Sequence, residues 1–529
     1  MAVRIVCLGL WIAWAGWGQE TCAQCHEEGK KFDPQAGAHT ALSCGTCHEK
    51  HEEYPHAAKL AKPACSNCHA DIGREEAKGV HGLERTRGNA GAPDCAVCHG
   101  SAHEALKPRT QAFRTGVPAT CGMCHDEVAK QFAASVHGRA LARGVPQAPL
   151  CTDCHGEHSI QKHSSSASPA SPGQVRETCG GCHSDLRLAR KFGLPADRVL
   201  SFDASFHGLA AKAGSQTVAN CASCHGVHNI LPSSDRNSTI HPANLPTTCG
   251  RCHTGAGQRF AIGAVHLAEG RNESTALRWV RQFYLLAIPL VIGLMFLHNA
   301  GDWVRKAARM RFSASPPAAA FDTQYEVRML GFERIEHALL GSSFIILAWT
   351  GFALKYPDHF WAAPLTMWET SWPVRSYVHR AAAIVCTVVS VLHLFSLWVS
   401  PDLRRHWMSL LPRWADIIEG SRRFLYNLGI LSAPPPRSPH SYVEKAEYWA
   451  VVWGAAVMIL SGVMLWANNL VMRWLPKDAL DIATSIHYYE AVLATLAIVV
   501  WHFYFVIFDP DVYPMDTAWL TGKSKKKAK

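Results

Sequence analysis

The sequence contains no nucleotide-, flavin- or molybdenum-binding motif, so chemistry of those kinds would have to come from a partner. Cysteine is almost absent outside one segment: of 20 cysteines, all but Cys7 and Cys386 lie between Cys22 and Cys252. The net charge of +10 does not indicate a nucleic-acid partner, because Lys and Arg cluster beside apolar segments. A chain of 529 residues is too long for one core, so we expect two or more domains.

The N-terminus predicts a secretion signal over residues 1–18. Arg4 gives a positive start, Ile5 to Ala15 is apolar, and Ala13 to Ala15 or Gly16 to Gly18 supplies a small-residue cleavage site. An uncleaved anchor is the alternative. In both cases we expect residues 19–275 to form a periplasmic domain.

A Cys-x-x-Cys-His spacing occurs nine times in this domain and uses every cysteine there. The spacing attaches c-type haem, because the two thiols bond to the porphyrin vinyl groups while the histidine binds the iron. Neither zinc ribbons nor a disulfide framework would need a histidine after every second cysteine. The sequence therefore predicts nine c-type haems. The attaching cysteines are Cys22, Cys25, Cys44, Cys47, Cys65, Cys68, Cys95, Cys98, Cys121, Cys124, Cys151, Cys154, Cys179, Cys182, Cys221, Cys224, Cys249 and Cys252. The motif histidines are His26, His48, His69, His99, His125, His155, His183, His225 and His253.

Nine other histidines match the nine haems in number, as sixth iron ligands. Five follow a motif at a distance: His39, His81, His137, His207 and His266. Four lie three or four residues after a motif histidine: His51, His103, His158 and His228. A near histidine cannot easily fold back onto the haem beside it, so we expect it to serve a neighbouring haem. Which histidine serves which haem cannot be read from the order, and His56, His163 and His241 are left over. An iron with two histidine ligands transfers electrons, whereas a vacant iron would favour a periplasmic reductase.

The second half, residues 276–529, predicts a transmembrane domain. Its five apolar segments are each about 20 residues long, enough to span a bilayer. Arg and Lys follow the first, third and fifth segments, which predicts that these ends are cytoplasmic and that the haem c domain is outside. The segments are Trp279–His298, His337–Leu354, Tyr377–Ser400, Tyr448–Ala467 and Ile486–Phe508. The fold class we predict is mainly α, a loop-rich multihaem cytochrome c domain followed by an all-α transmembrane bundle.

Histidines inside these segments predict two stacked b-type haems. In the predicted topology, His379 and His487 lie near the outer surface, and His337, His393 and His502 near the inner one. Histidine within a membrane is costly and usually functional. Five at matching depths favour paired iron ligands over core histidines.

Residues from about 330 to 510 resemble the cytochrome b subunit of membrane formate dehydrogenases and related hydrogenases. The similar elements are Phe332-x-Arg334-x-x-His337, Gly351, Pro357, Val378-His379, Ile486-His487 and His502-Phe503-Tyr504. That family binds two b haems and exchanges electrons with menaquinone near the inner one. The resemblance implies that His379 and His487 bind the outer haem, and His337 and His502 the inner haem.

Two positions depart from that family. His393 has no counterpart, so it replaces His337 as a ligand or carries protons at a quinone pocket. The family's Asn-x-Gly-Gln-Lys sequence reads Ser441-Tyr442-Val443-Glu444-Lys445 here, which leaves the quinone contacts open.

The whole chain resembles inner-membrane fusions of metal-reducing bacteria that join a nine-haem domain to this dihaem b domain. The resemblance implies a quinol:cytochrome oxidoreductase of the bacterial inner membrane. Its partners would be the membrane quinone pool and periplasmic cytochromes or a terminal reductase. Reverse flow, a periplasmic reductase with one open c-haem iron, and a passive electron-buffering anchor are the alternatives.

Overall fold

A computed structural model describes residues 37–48, 63–262, 264–267, 273–312, 325–435 and 440–525. The predicted signal over residues 1–18 and the site residues Cys22, Cys25, His26 and His51 lie outside these ranges. The chain divides into two compact units. The first takes in Met1–Phe192 and Ala219–His241, and the second Gly193–Val218 and Pro242–Lys529. The predicted domain boundary at residue 275 therefore differs from the boundary between compact units.

The first unit consists of short helices joined by loops. Single-turn helices form at several haem motifs, because a polar N-cap such as Asp94 starts them and a glycine stops them. Gly100, Gly156 and Gly226 follow motif histidines with φ between 78° and 85°, a conformation that ends a helix. Its helices are Cys44–Thr46, Cys65–Asn67, Ala70–Glu76, Val80–Thr86, Cys95–His99, Gln111–Gly122, Asp126–Ala134, Val136–Ala142, Cys151–His155, Val175–His183, Leu186–Phe192 and Cys221–His225.

The second unit contains the five helices of the described chain that are long and apolar enough to cross a membrane. At most 17% of any apolar window is buried, so these surfaces suit contact with lipid. The helices are α1 (Thr275–Phe312), α2 (Gly331–Lys355), α3 (Val374–Val399), α4 (Tyr442–Trp466) and α5 (Lys477–Phe508). The prediction of an integral membrane protein with an all-α bundle is confirmed.

Shorter elements connect or precede these helices. Their bounds are Arg198–Ala204, Phe206–Lys212, Pro242–Asn244, Leu245–Gly250, Ala363–Thr366, Pro401–Ser409, Trp414–Asn427, Asn468–Trp474 and Ala518–Thr521. Strands β1 (Tyr325–Val327) and β2 (Lys523–Lys525) pair antiparallel. We call the end of the bundle that carries the α2–α3 and α4–α5 connections the outer end, and the opposite end the inner end.

Candidate haem-binding sites

At the outer end of the bundle, His379 of α3 and His487 of α5 face each other with ring centroids 6.4 Å apart. Thr350 Oγ1 lies 2.7 Å from His379 Nδ1, and Ser461 Oγ lies 2.9 Å from His487 Nδ1. A hydrogen bond at Nδ1 fixes the ring and leaves Nε2 available to a metal. Both rings are thus held as iron ligands would be.

Two glycines make room for these rings. A Cβ at Gly351 would lie 3.6 Å from His379 Cε1, and one at Gly462 would lie 3.3 Å from His487 Cε1. Gly351 is one of the positions on which the family resemblance rests. The contact at Gly462 is tighter than most Cβ contacts and favours glycine there, whereas a Cβ at Gly351 would make an ordinary van der Waals contact.

The separation of the two rings fits one shared metal. An imidazole nitrogen binds a first-row metal at about 2 Å, so two imidazoles on opposite sides of that metal have centroids about 6 Å apart. The residues present therefore fit a haem iron with two histidine ligands.

At the inner end, His337 of α2 and His502 of α5 form a second pair with centroids 6.2 Å apart. Glu447 Oε2 lies 3.4 Å from His502 Nδ1. His502 ends a π-helical stretch, Ile498–His502, in which the helix is widened. Asn299 of α1 donates a hydrogen bond of 2.6 Å to the Val500 carbonyl in that stretch, so α1 supports the turn that presents His502.

His393 stands outside both pairs. Its Nδ1 lies 3.1 Å from Glu336 Oε2 and its Nε2 lies 2.9 Å from the Tyr448 hydroxyl. Both ring nitrogens are therefore engaged by protonatable groups. The structure brings His337, rather than His393, to His502.

We expect Thr350→Ala and Ser461→Ala to lower b haem retention without unfolding the bundle. Each change removes the oxygen at the Nδ1 atom of one outer ligand, and losing such a contact costs about 10–100-fold in metal affinity. A haem b assay of purified protein measures the loss. Thr387→Ala is the matched control, because the Thr387 hydroxyl bonds to the Ala383 carbonyl of its own helix. Equal retention in all three variants would contradict a ligand-orienting role.

Six histidine pairs of the same kind occur among the motif and candidate sixth ligands. Their ring centroids are 6.0 to 6.2 Å apart, again the separation that suits one shared iron. In the first unit the pairs are His39–His69, His48–His103, His99–His158, His137–His183 and His155–His228. In the second unit the pair is His207–His253.

The pairs follow one rule. A near histidine faces the motif histidine two motifs earlier in the chain, as His158 faces His99. A distant histidine faces the motif histidine two motifs later, as His137 faces His183. His81 obeys the same rule, since His125 is a charge neighbour that lowers the His81 pKa, after burial as the larger cause. Each histidine pair thus connects two segments of the chain whose motifs are two apart in the sequence.

A repeated backbone device presents the distant histidines. His137 and His207 lie in the first turn of helices capped by Ser135 and Ser205. The next residue is glycine in each case, and a Cβ there would come within 2.0 Å of the preceding helix's carbonyl oxygen. Glycine therefore permits the close crossing of helices that positions the histidine.

Burial keeps the His137 ring neutral. Burial, followed by the neighbouring His183, lowers the pKa of His137 to about 4. Neutral imidazole keeps a nitrogen lone pair, which is the state that binds a metal. A hydrogen bond of 3.0 Å joins His266 Nδ1 and Ser201 Oγ. His225 ends the helix Cys221–His225.

The cysteines also fit covalent haem. Every cysteine whose side chain the structure describes is a free thiol. Thiols of consecutive motifs approach each other, with Cys121 hydrogen-bonded to Cys151 and Cys179 to Cys221. Apolar side chains beside the motifs are exposed, Met123 by 64% and Val227 by 64%, as they would be if a haem covers them.

The comparisons bear on the membrane domain. Residues 328–515 match the family described as prokaryotic cytochrome b561. The match contains all four paired membrane histidines and supports a membrane b-type cytochrome domain in this part of the chain. The searches of curated proteins and of solved structures gave no match. Helix α1 lies outside the matched residues.

Sequence reasoning missed His298 of α1, which is buried at the inner end. Its Nε2 lies 2.6 Å from the Tyr442 hydroxyl. The signal was present, because His298, Asp302 and Lys306 recur at helical spacing next to an apolar run, and ionisable groups in such a place are usually functional.

Proposed function

We propose that this protein transfers electrons from menaquinol in the bacterial inner membrane, through two b haems and nine c haems, to a periplasmic acceptor. The proposal assigns residues 1–18 to a signal, 19–275 to a periplasmic haem c domain and 276–529 to the membrane domain. The observation that carries it is the recurrence of paired histidines, two pairs in the membrane bundle and six among the Cys-x-x-Cys-His motifs. When bound, the haems supply one-electron carriers with no open iron position.

The membrane pairs lie at different depths. His487 and His502 are fifteen residues apart on α5, which corresponds to about 22 Å along a helix. One pair therefore stands near each end of the bundle. This arrangement supports electron transfer across the membrane rather than a single buried site.

The ninth c-haem segment lies against the outer end of the bundle. Gly255 approaches the Asn469 carbonyl so closely that a Cβ would lie 1.9 Å from it. Arg259 donates a 3.5 Å hydrogen bond to the Trp474 carbonyl, and Lys212 Nζ lies 2.5 Å from Asp358 Oδ2. These contacts hold the His207–His253 pair beside the end of the bundle that contains His379 and His487. They support the c haem of the ninth motif as the neighbour of the outer b haem.

The cluster of Glu336, His393 and Tyr448 supports quinol chemistry at the inner end. Quinol oxidation releases two protons, whereas a haem accepts only electrons, so nearby side chains must take the protons. His393 is held between a carboxylate and a hydroxyl. We assign it quinone-linked proton transfer.

We expect His393→Gln to slow reduction of the b haems by a menaquinol analogue by about 10²–10⁴-fold, the usual contribution of one acid–base group. The b haem content should stay unchanged, because His393 is outside both histidine pairs. Stopped-flow spectroscopy measures the rate and a haem assay measures the content. A loss of b haem would instead make His393 an iron ligand, and an unchanged rate would remove it from the proton chemistry.

A further inference from the structure

Helix α1 brings a line of buried polar side chains to the inner end of the bundle. His298, Asp302 and Lys306 are spaced four residues apart, so they lie on one face of α1. All three are buried, with 5 to 8% of each residue exposed. Burying such groups is costly unless they are paired, so the line needs a structural or functional reason.

The His298 end of this line lies beside the segment that presents His502. The centroid of the His298 ring lies 5.0 Å from that of Trp501 and 6.4 Å from that of Phe424, on which it stacks. His298 Nε2 lies 2.6 Å from the hydroxyl of Tyr442, which begins α4. Its Nδ1 lies 3.0 Å from Asn299 Oδ1.

The Lys306 end of this line reaches an ion cluster that includes an exposed arginine. Lys306 Nζ lies 2.6 Å from Asp302 Oδ2, 2.8 Å from Asp509 Oδ1 and 3.5 Å from Asp511 Oδ2. Asp511 in turn pairs with the exposed Arg309 at 3.0 Å. The Tyr504 hydroxyl donates a 2.7 Å hydrogen bond to Asp302.

Two further polar atoms stand next to His298 and are unsatisfied. Asn427 Oδ1 and Trp501 Nε1 are buried and have no hydrogen-bond partner among the described residues. Asn427 touches His298 through a 3.1 Å bond from its Nδ2 to the His298 carbonyl. Buried acceptors and donors of this kind bind water, which would bridge the one helical turn between His298 and Asp302.

We propose that α1 supplies a proton-exit path from the quinol site, from Tyr442 and His298 through Asp302 to the Lys306–Asp509–Asp511 cluster at the inner surface. This inference rests on the proposed function. Menaquinol loses two electrons to the b haems, one at a time, and its two O–H bonds release two protons. His393 lies among α2, α3 and α4, whereas His298 lies between α1, α4 and α5, so the two clusters offer separate acceptors for the two protons. Helix α1 is then part of the reaction rather than an anchor.

Charges of both signs surround His298 and Asp302. The charged neighbours of His298 are Lys306, Asp302 and Arg423, the last of which lies on the helix Trp414–Asn427. Asp509 and Asp511 approach from the segment after α5. Asp302 is paired with Lys306, so a proton that reaches it would pass on to the carboxylates of Asp509 and Asp511 and would not stay there.

The test compares Asp302→Asn and His298→Gln with the wild-type chain. Both variants keep hydrogen-bonding capacity and so preserve the packing, while they remove a proton acceptor. We expect reduction of the b haems by a menaquinol analogue to fall by about 10²-fold or more, with full haem content. Small weak acids should restore part of the rate in Asp302→Asn. Tyr284→Phe is the matched control, because it removes a 2.8 Å bond from α1 to Glu490 at the outer part of the bundle, and it should leave the rate unchanged.

A second readout does not depend on quinol. In a redox titration, the potential of the inner b haem in the wild type should vary with pH by up to about 59 mV per unit if one proton accompanies each electron. Asp302→Asn should flatten that dependence. Wild-type rates and pH dependence in both variants, or loss of b haem, would overturn the proton path and leave a structural ion cluster. If the wild type itself is not reduced by quinol, the proposed function fails first, which distinguishes the two results.

Discussion

Replacing Cys249 and Cys252 together by serine is expected to leave both b haems reducible by a menaquinol analogue while the remaining c haems stay oxidised. These thiols are the attachment points predicted for the ninth c haem. The same segment contacts the outer end of the bundle through Gly255 and Arg259. We expect c-haem reduction by quinol to be nearly abolished, because the haem that would accept electrons from the outer b haem is missing.

The matched control is the double change Cys65→Ser and Cys68→Ser in the third motif. It also removes one predicted c haem, but from a segment of the first unit, and should leave the first exchange between b and c haems intact. Time-resolved spectra at the b and c absorption bands measure both steps. Equal c-haem reduction in the two double variants would show that the ninth motif is not the point of entry.

The second large effect concerns the two histidine pairs in the membrane bundle. Removing a ligand from the outer pair should have a different result from removing one from the inner pair. His379→Leu removes an outer ligand, so we expect one b haem to be lost and the other to remain reducible by quinol without passing electrons to the c haems. His337→Leu removes an inner ligand, so quinol should reduce no haem at all. The reason is that in the proposed assignment each pair would hold its own iron, and a missing ligand costs at least the roughly 10–100-fold in metal affinity that an outer-shell contact does.

His359→Gln is the control for both variants, because His359 contacts Tyr356 and Trp361 outside the two pairs. Haem content, quinol reduction and dithionite reduction of the c haems are measured together. Loss of both b haems from either variant would mean that the sites fold only together. Retention of both would contradict the assigned ligands.

The membrane helices could be predicted from sequence because length, apolarity and flanking charge are properties of each segment alone. Their ends could not, since α1 continues to Phe312, well beyond the predicted end at His298. The polar face formed by Asp302 and Lys306 extends the helix, because it pairs with Asp509 rather than with lipid. Such a partner lies some 200 residues away and leaves no local signal.

The predicted haem ligands divide in the same way. Attachment of a c haem requires a fixed local spacing, so the motif residues could be predicted one by one. The sixth ligands are set by tertiary contact, and His155 faces His228 although many residues separate them. The π-helical turn before His502 depends on Asn299 of another helix, which is why periodicity did not reveal it.

The central claim is tested most directly by redox-titrated visible spectroscopy of the purified membrane protein, with a pyridine haemochrome count and an added menaquinol analogue. We predict nine c haems to two b haems, with the b bands reduced by the quinol before the c bands follow. Absence of b haem, or a quinol that leaves every haem oxidised, would contradict menaquinol-linked electron transfer and favour a periplasmic reductase or a passive anchor.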